Sequence, residues 1–178
     1  GIMRKHVLAA AAAAMVVTAG FAVQAQEMPK PAAEMAKIAF FNGNWTCEGK
    51  MHESPMSPAG AMTGTAAIKS DLGGFFQSGA IKSSMGGMTV DGMFHATYDA
   101  GAKQFVMFWF DSMGGWARSS SAGWSGDSMV YEGESHMGPM TMKSRDTFTK
   151  MGAAGMKHVM EAEMGGKWMT TGEETCRK

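Results

Sequence analysis

The sequence predicts an all-β fold, an up-and-down antiparallel barrel of about ten strands, with one short N-terminal helix against or across it. Three observations lead there. After Gly43, short segments rich in Thr, Phe, Trp, Val and Met alternate with Gly or Asp-Gly punctuation about every 8–14 residues, the spacing of a sandwich or barrel. The links are short enough for hairpins throughout, and closing such a meander on itself removes exposed edges. The only two cysteines, Cys47 and Cys176, fall in the first and last segments, which a closed meander makes neighbours.

The elements follow in chain order. Met3-Arg4-Lys5-His6 precede the uncharged run Val7 to Val23, which ends in Val23-Gln24-Ala25. That order of basic, apolar and small residues predicts a secretory signal peptide over residues 1–25, cleaved after Ala25. The Ala-rich run is about 17 residues, short of the ~20 that span a bilayer. No Cys follows the cleavage site, so a lipoprotein anchor is not expected. The mature chain is expected to be periplasmic or secreted, with no membrane insertion. Loss of Arg4 and Lys5 lowers the basic count from 16 to 14 against 16 acidic residues, a net charge of −2. A strongly basic nucleic-acid-binding face is therefore not expected.

Residues 26–30 read as a leader, and the single barrel domain is expected over 31–177. Lys30-Pro31 opens a Gly-free stretch of good helix formers, and Met35, Ile38 and Phe41, spaced three and three, give it an apolar stripe. A short amphipathic helix is predicted over 31–41, ended by Asn42-Gly43.

Strands are predicted over 44–52, 62–70, 75–83, 88–98, 103–111, 116–123, 128–137, 140–150, 157–164 and 167–177. Alternation puts Trp45, Cys47, Gly49 and Met51 on one face of the first strand, and Trp168, Thr170, Gly172 and Cys176 on one face of the last. The fifth strand is apolar on both faces through Phe105-Val106-Met107-Phe108-Trp109-Phe110, so one face should line the barrel and the other lie under the helix. Export permits a disulfide between Cys47 and Cys176. Closing so long a loop is worth ~5 kcal/mol of chain entropy.

Phe40-Phe41-Asn42-Gly43-Asn44-Trp45-Thr46-Cys47, a helix followed by Gly-x-Trp entering the first strand, resembles the opening of lipocalin-type and nitrobindin-type barrels. The chain as a whole more closely resembles a family of exported bacterial proteins of unknown function with a calycin-like barrel. The matching pieces are Asp71-Leu72-Gly73-Gly74-Phe75-Phe76, Tyr98-Asp99, Phe110-Asp111-Ser112-Met113-Gly114-Gly115, and Gly166-Lys167-Trp168 with Cys176. The resemblance implies the calycin-like barrel and no settled activity. Nitrobindin-type proteins bind haem through a His close to the C-terminus. The last strand has no His, and the nearest is His158 in the strand before it, where the apolar partners Met160, Ala162 and Met164 allow an inward orientation, although a lone strand His is more often a solvated or hydrogen-bonded residue than a ligand.

Enzyme motifs are lacking: there is no Gly-x-Ser-x-Gly, His-Glu-x-x-His or phosphate loop. Asp99, Asp111 and Asp127 flank Gly-rich turns, where Asp stabilises the turn through its own backbone. A non-catalytic role is expected, with an apolar or amphipathic small molecule held in the barrel and no cofactor required. The candidate lining residues are Trp45, Phe76, Phe94, Phe105, Trp109, Tyr131 and Trp168.

The 21 methionines give the alternative. Met85-Gly86-Gly87-Met88, Met137-Gly138-Pro139-Met140-Thr141-Met142, Met51-His52 and His136-Met137 surround turns predicted to share one end of the barrel. Thioethers with His select Cu(I). The competing reading is apolar filler, because Leu72 is the only Leu after the signal peptide, beside Ile38, Ile68 and Ile81. A third role is oxidant scavenging through sulfoxide formation, with no specific ligand.

Overall fold

The computed structural model describes residues 27–55 and 57–178. The predicted signal peptide lies outside them, as does Met56. The strands are β1 (Gly43–Met51), β2 (Gly60–Asp71), β3 (Phe76–Met85), β4 (Met88–Asp99), β5 (Gln104–Asp111) and β6 (Trp116–Ser121). They continue as β7 (Trp124–Ser125), β8 (Ser128–Met137), β9 (Met140–Lys150), β10 (Gly155–Met164) and β11 (Lys167–Arg177). β11 returns to β1, and β6 reaches past the two-residue β7 to pair with β8. Ten strands thus close into one antiparallel ring, as the sequence predicts, with β7 a short flap on β8.

The hairpins follow from turn chemistry. Gly86-Gly87 and Gly165-Gly166 adopt positive φ at both central positions, the conformation a two-residue hairpin demands. At the seam Cys47 and Cys176 are direct cross-strand partners with Cα atoms 4.0 Å apart, and their sulfurs are joined. Outside the same seam Glu173 of β11 accepts from Lys50 of β1 at 3.3 Å and Lys157 of β10 at 3.0 Å. Those two ammonium groups, Lys157 first, hold the Glu173 carboxyl below the usual carboxylate range.

The predicted short helix is present, over Ala33–Phe41, and is a 3-10 helix. Met35, Ile38 and Phe41 recur at the period of three that suits a 3-10 helix, and Ile38 and Phe41 are buried. Such a long 3-10 run is uncommon, and side chains of the barrel hold its carbonyls. Gln77 Nε2 donates to Ile38 O at 2.8 Å, Trp124 Nε1 to Lys37 O at 2.7 Å, Trp45 Nε1 to Phe41 O at 2.7 Å and Lys178 Nζ to Phe40 O at 2.9 Å.

One expectation is corrected, the covering of the outer face of β5, where Phe108 and Phe110 are exposed instead of lying under the helix. The helix crosses the end of the barrel, because Ile38 and Phe41 enter it to pack with Trp45, Phe105, Met129 and Tyr131.

Candidate functional site

The helix makes a floor at one end of the lumen. Trp45, Phe105 and Met129 are completely enclosed there, and Tyr131 beside them is buried, which pushes its hydroxyl pKa up and keeps it neutral. The turns rich in Met surround the opposite end.

Between floor and mouth, small residues shape the wall. A Cβ at Gly79 would overlap the ring of Phe94 on the adjacent strand, and a Cβ at Gly92 would overlap the ring of Trp109. Both glycines therefore let a large ring lie over the neighbouring strand. The two rings line the wall from β4 and β5, and Trp109 Nε1 donates to Asp111 Oδ2 at 3.0 Å.

On the facing wall, three strands bring together a histidine and two carboxylates. His158 of β10 donates from Nδ1 to Glu174 Oε1 of β11 at 2.9 Å and from Nε2 to Asp146 Oδ1 of β9 at 2.8 Å. Its ring stacks on Phe148 with centroids 4.3 Å apart. Burial favours the neutral imidazole, but the hydrogen bonds to Asp146 and Glu174 outweigh it and raise the His158 pKa to about 9. At neutral pH the ring is a cation held between two carboxylates.

The side chains of Asp146, Glu174 and His158 keep 29%, 16% and 14% of their surface accessible. Asp146 Oδ2 and Glu174 Oε2 have no hydrogen-bond partner among the described residues and are not sealed from water-sized contact. An acceptor thus stays open on each side of the ring. Glu174 also lies beside Cys47 and Cys176, whose ligand atoms and its own fall within 4.8 Å of one another. The sulfurs are bonded to each other, so that group is no ready metal site.

Of the seven predicted lining residues, the structure brings five into the lumen. Phe94 and Trp109 form its wall, while Trp45, Phe105 and Tyr131 belong to its floor. Phe76 and Trp168 are corrections. Phe76 alternates with the buried Gln77 and lines a groove of about 320 Å³ between the 3-10 helix and the β2–β3 connection. Trp168 lies on the outside, under the Arg145 guanidinium at 4.3 Å. A register shift between Met160 and Glu161 inserts Thr171 and turns everything before it in β11 through one face. Arg145 in turn makes a paired contact with Glu161 at 2.7 and 3.0 Å on that outer face.

The predicted soft-metal residues are split. Met51 faces the lumen against Gly172, next to the methyl of Met160. His52 lies across the wall by Glu173, 3.7 Å away. Met85 and Met88 are hairpin partners, as are Met137 and Met140, and Met142 pairs with Ser135. His136 stacks on Trp116 at 3.7 Å and meets Thr141 Oγ1 at 3.0 Å, outside the barrel. Strand alternation thus sends Met and His of each adjacent pair to opposite faces, and neither pair chelates one ion.

Sequence reasoning misses Asp146 and Glu174 as partners of His158. Counting back by two from the inward Cys176 places Glu174 in the lumen, and counting back by two from Phe148 places Asp146 there. Both ring nitrogens of His158 are taken by carboxylates, so iron at either one would have to displace a hydrogen bond.

Residues 30–178 match the family described as "Protein of unknown function (DUF1579)". No curated protein matches the chain. Among solved structures, the crystal structure of Rv2717c from M. tuberculosis is similar in fold, with a TM-score of 0.64 and 8% identity. The likeness covers 84% of this chain and 99% of that one.

Proposed function

The chain belongs to the DUF1579 family, whose function is unknown, and from the geometry of its lumen we propose that it is a binding protein for a small amphipathic molecule, acting without catalysis after export to the periplasm. The observation that carries this reading is the Asp146–His158–Glu174 constellation, stacked on Phe148 and facing the rings of Phe94 and Trp109 across the lumen. Ligand sites combine apolar walls with a few placed polar groups, and barrel interiors are a favoured location. The apolar body of the ligand lies along Phe94 and Trp109, and its hydrogen-bond donor meets a free oxygen of Asp146 or Glu174.

The test is titration with 1-aminoanthracene, a small fluorescent amphiphile, followed by native mass spectrometry of protein purified from its own source. Saturable binding is expected, weakened by Trp109→Ala and Asp146→Asn and unchanged by Trp168→Ala. Absence of saturable binding, together with a bare chain mass, overturns the proposal.

One placement favours soft-metal binding as a second reading: Met62, Met85 and Met88 are successive cross-strand neighbours on β2, β3 and β4. Three thioethers in one row suit Cu(I). Anaerobic competition titration should then give tight binding that Met62→Leu and Met85→Leu weaken; equal binding by wild type and variants removes this reading.

A further inference from the structure

We propose that the outer face of β4, β5, β6 and β8 is the surface through which two copies of this chain pair about a two-fold axis. The register sets Met93, Phe110, Trp116 and His136 in one unbroken cross-strand row, with His95, Phe108, Arg118 and Glu134 in a parallel row beside it. Met93 is 52% exposed, Phe108 37%, Phe110 45% and Trp116 47%. No helix or loop of the described chain covers them.

Area and charge point to a second copy as the occupant. Large side chains each present 150–250 Å² when fully open, so these four offer roughly 400 Å² of apolar surface at their observed exposures. A standard interface takes ~800 Å² from each partner, a little over half of it non-polar, which is about this amount plus a polar rim. On this face the exposed Arg118 and the exposed Glu134 are direct cross-strand neighbours, and neither forms an ion pair among the described residues. A two-fold operation turns such a side-by-side pair onto itself, so each Arg118 meets Glu134 of the second copy.

Trp116 is held flat by its stack on His136, with the planes 8° apart. That ring is a rigid anchor with little rotamer freedom to lose on association. A closed ring has no free strand edge, so pairing must occur face to face. The patch has no basic excess, which makes an anionic membrane the poorer fit.

The experiment is sedimentation equilibrium of the purified chain from micromolar to millimolar concentration. A dimer mass is expected. Trp116→Glu and Phe110→Glu should each raise the dissociation constant at least about 30-fold, with the far-ultraviolet circular dichroism unchanged. Arg118→Glu should weaken pairing, and Arg118→Glu combined with Glu134→Arg should restore it. A monomer at every concentration overturns the proposal, as does a dimer indifferent to Trp116→Glu and Phe110→Glu. A monomer that floats with phosphatidylcholine–phosphatidylglycerol vesicles and loses them on Trp116→Glu overturns it in favour of a membrane.

Discussion

Removing the titrating ring of His158 by His158→Gln should abolish a specific pH dependence of stability. Folding raises the pKa of this group from 6.5 to about 9. A raised pKa means the native state binds the proton more tightly, so the stabilisation is complete below pH 6.5. It is lost as pH climbs from 6.5 through 9, and nothing further is lost above that. Each tenfold gain in proton affinity is worth about 1.4 kcal/mol, so the contribution is about 3 kcal/mol. Only 14% of the side chain is accessible, so screening by solvent removes little of it.

The assay is urea unfolding at intervals between about pH 6 and pH 10 for wild type and His158→Gln. The difference in unfolding free energy between the two proteins should shrink by about 3 kcal/mol across that window. Parallel profiles would refute the reasoning. They would mean that Asp146 and Glu174 do not hold the protonated ring in the native barrel.

Two other perturbations test the frame around the site. Cys47→Ala with Cys176→Ala releases a crosslink spanning a sequence separation of 129 residues; unfolding free energy should drop by roughly 3–5 kcal/mol, and a drop under about 1 kcal/mol contradicts the stapled seam. Gly92→Val sets side-chain atoms where the Trp109 ring lies, so stability should fall by ~1–3 kcal/mol and indole fluorescence should shift. Gly60→Ala, with nothing within 4 Å of an added Cβ, is the control and should leave both readings unchanged.

The frame of the barrel is legible in the sequence because period-two alternation and Gly-marked turns are local signals. β8, β9 and β11 begin and end where the pattern places them, and the other long strands agree within two residues. The seam is legible from Cys47 and Cys176 alone. Facing is lost where local pattern stops being sufficient. Nothing within Lys167–Arg177 announces that Thr171 is a bulge, because the extra residue is set by the pairing with β10. Simple alternation therefore puts Trp168 on the wrong face.

The helix position is lost for a related reason. Its three-residue apolar spacing is visible, but the four side chains that hold its carbonyls come from positions 45, 77, 124 and 178, far apart in the chain. The triad at His158 is likewise a product of three strands meeting. Each residue alternates correctly in its own strand, yet only the ring's register makes them touch.

That ring also dictates an order of events when the chain folds. Apart from the short detour of β7, every pairing but one joins strands next to each other in sequence. Hairpins of this kind form in about 1–10 μs each, so most of the sheet can assemble by local steps. The single exception, β1 with β11, requires the two ends of the domain to find one another and carries the entropic cost of the longest loop. The disulfide sits on that encounter. Oxidation adds a covalent tether to that one long-range pairing. In a reducing compartment, every opening of the seam exposes the unpaired backbones of β1 and β11, two raw edges able to recruit strands from other chains. The redox state of the surroundings thus sets how often the ring opens at its one long-range seam.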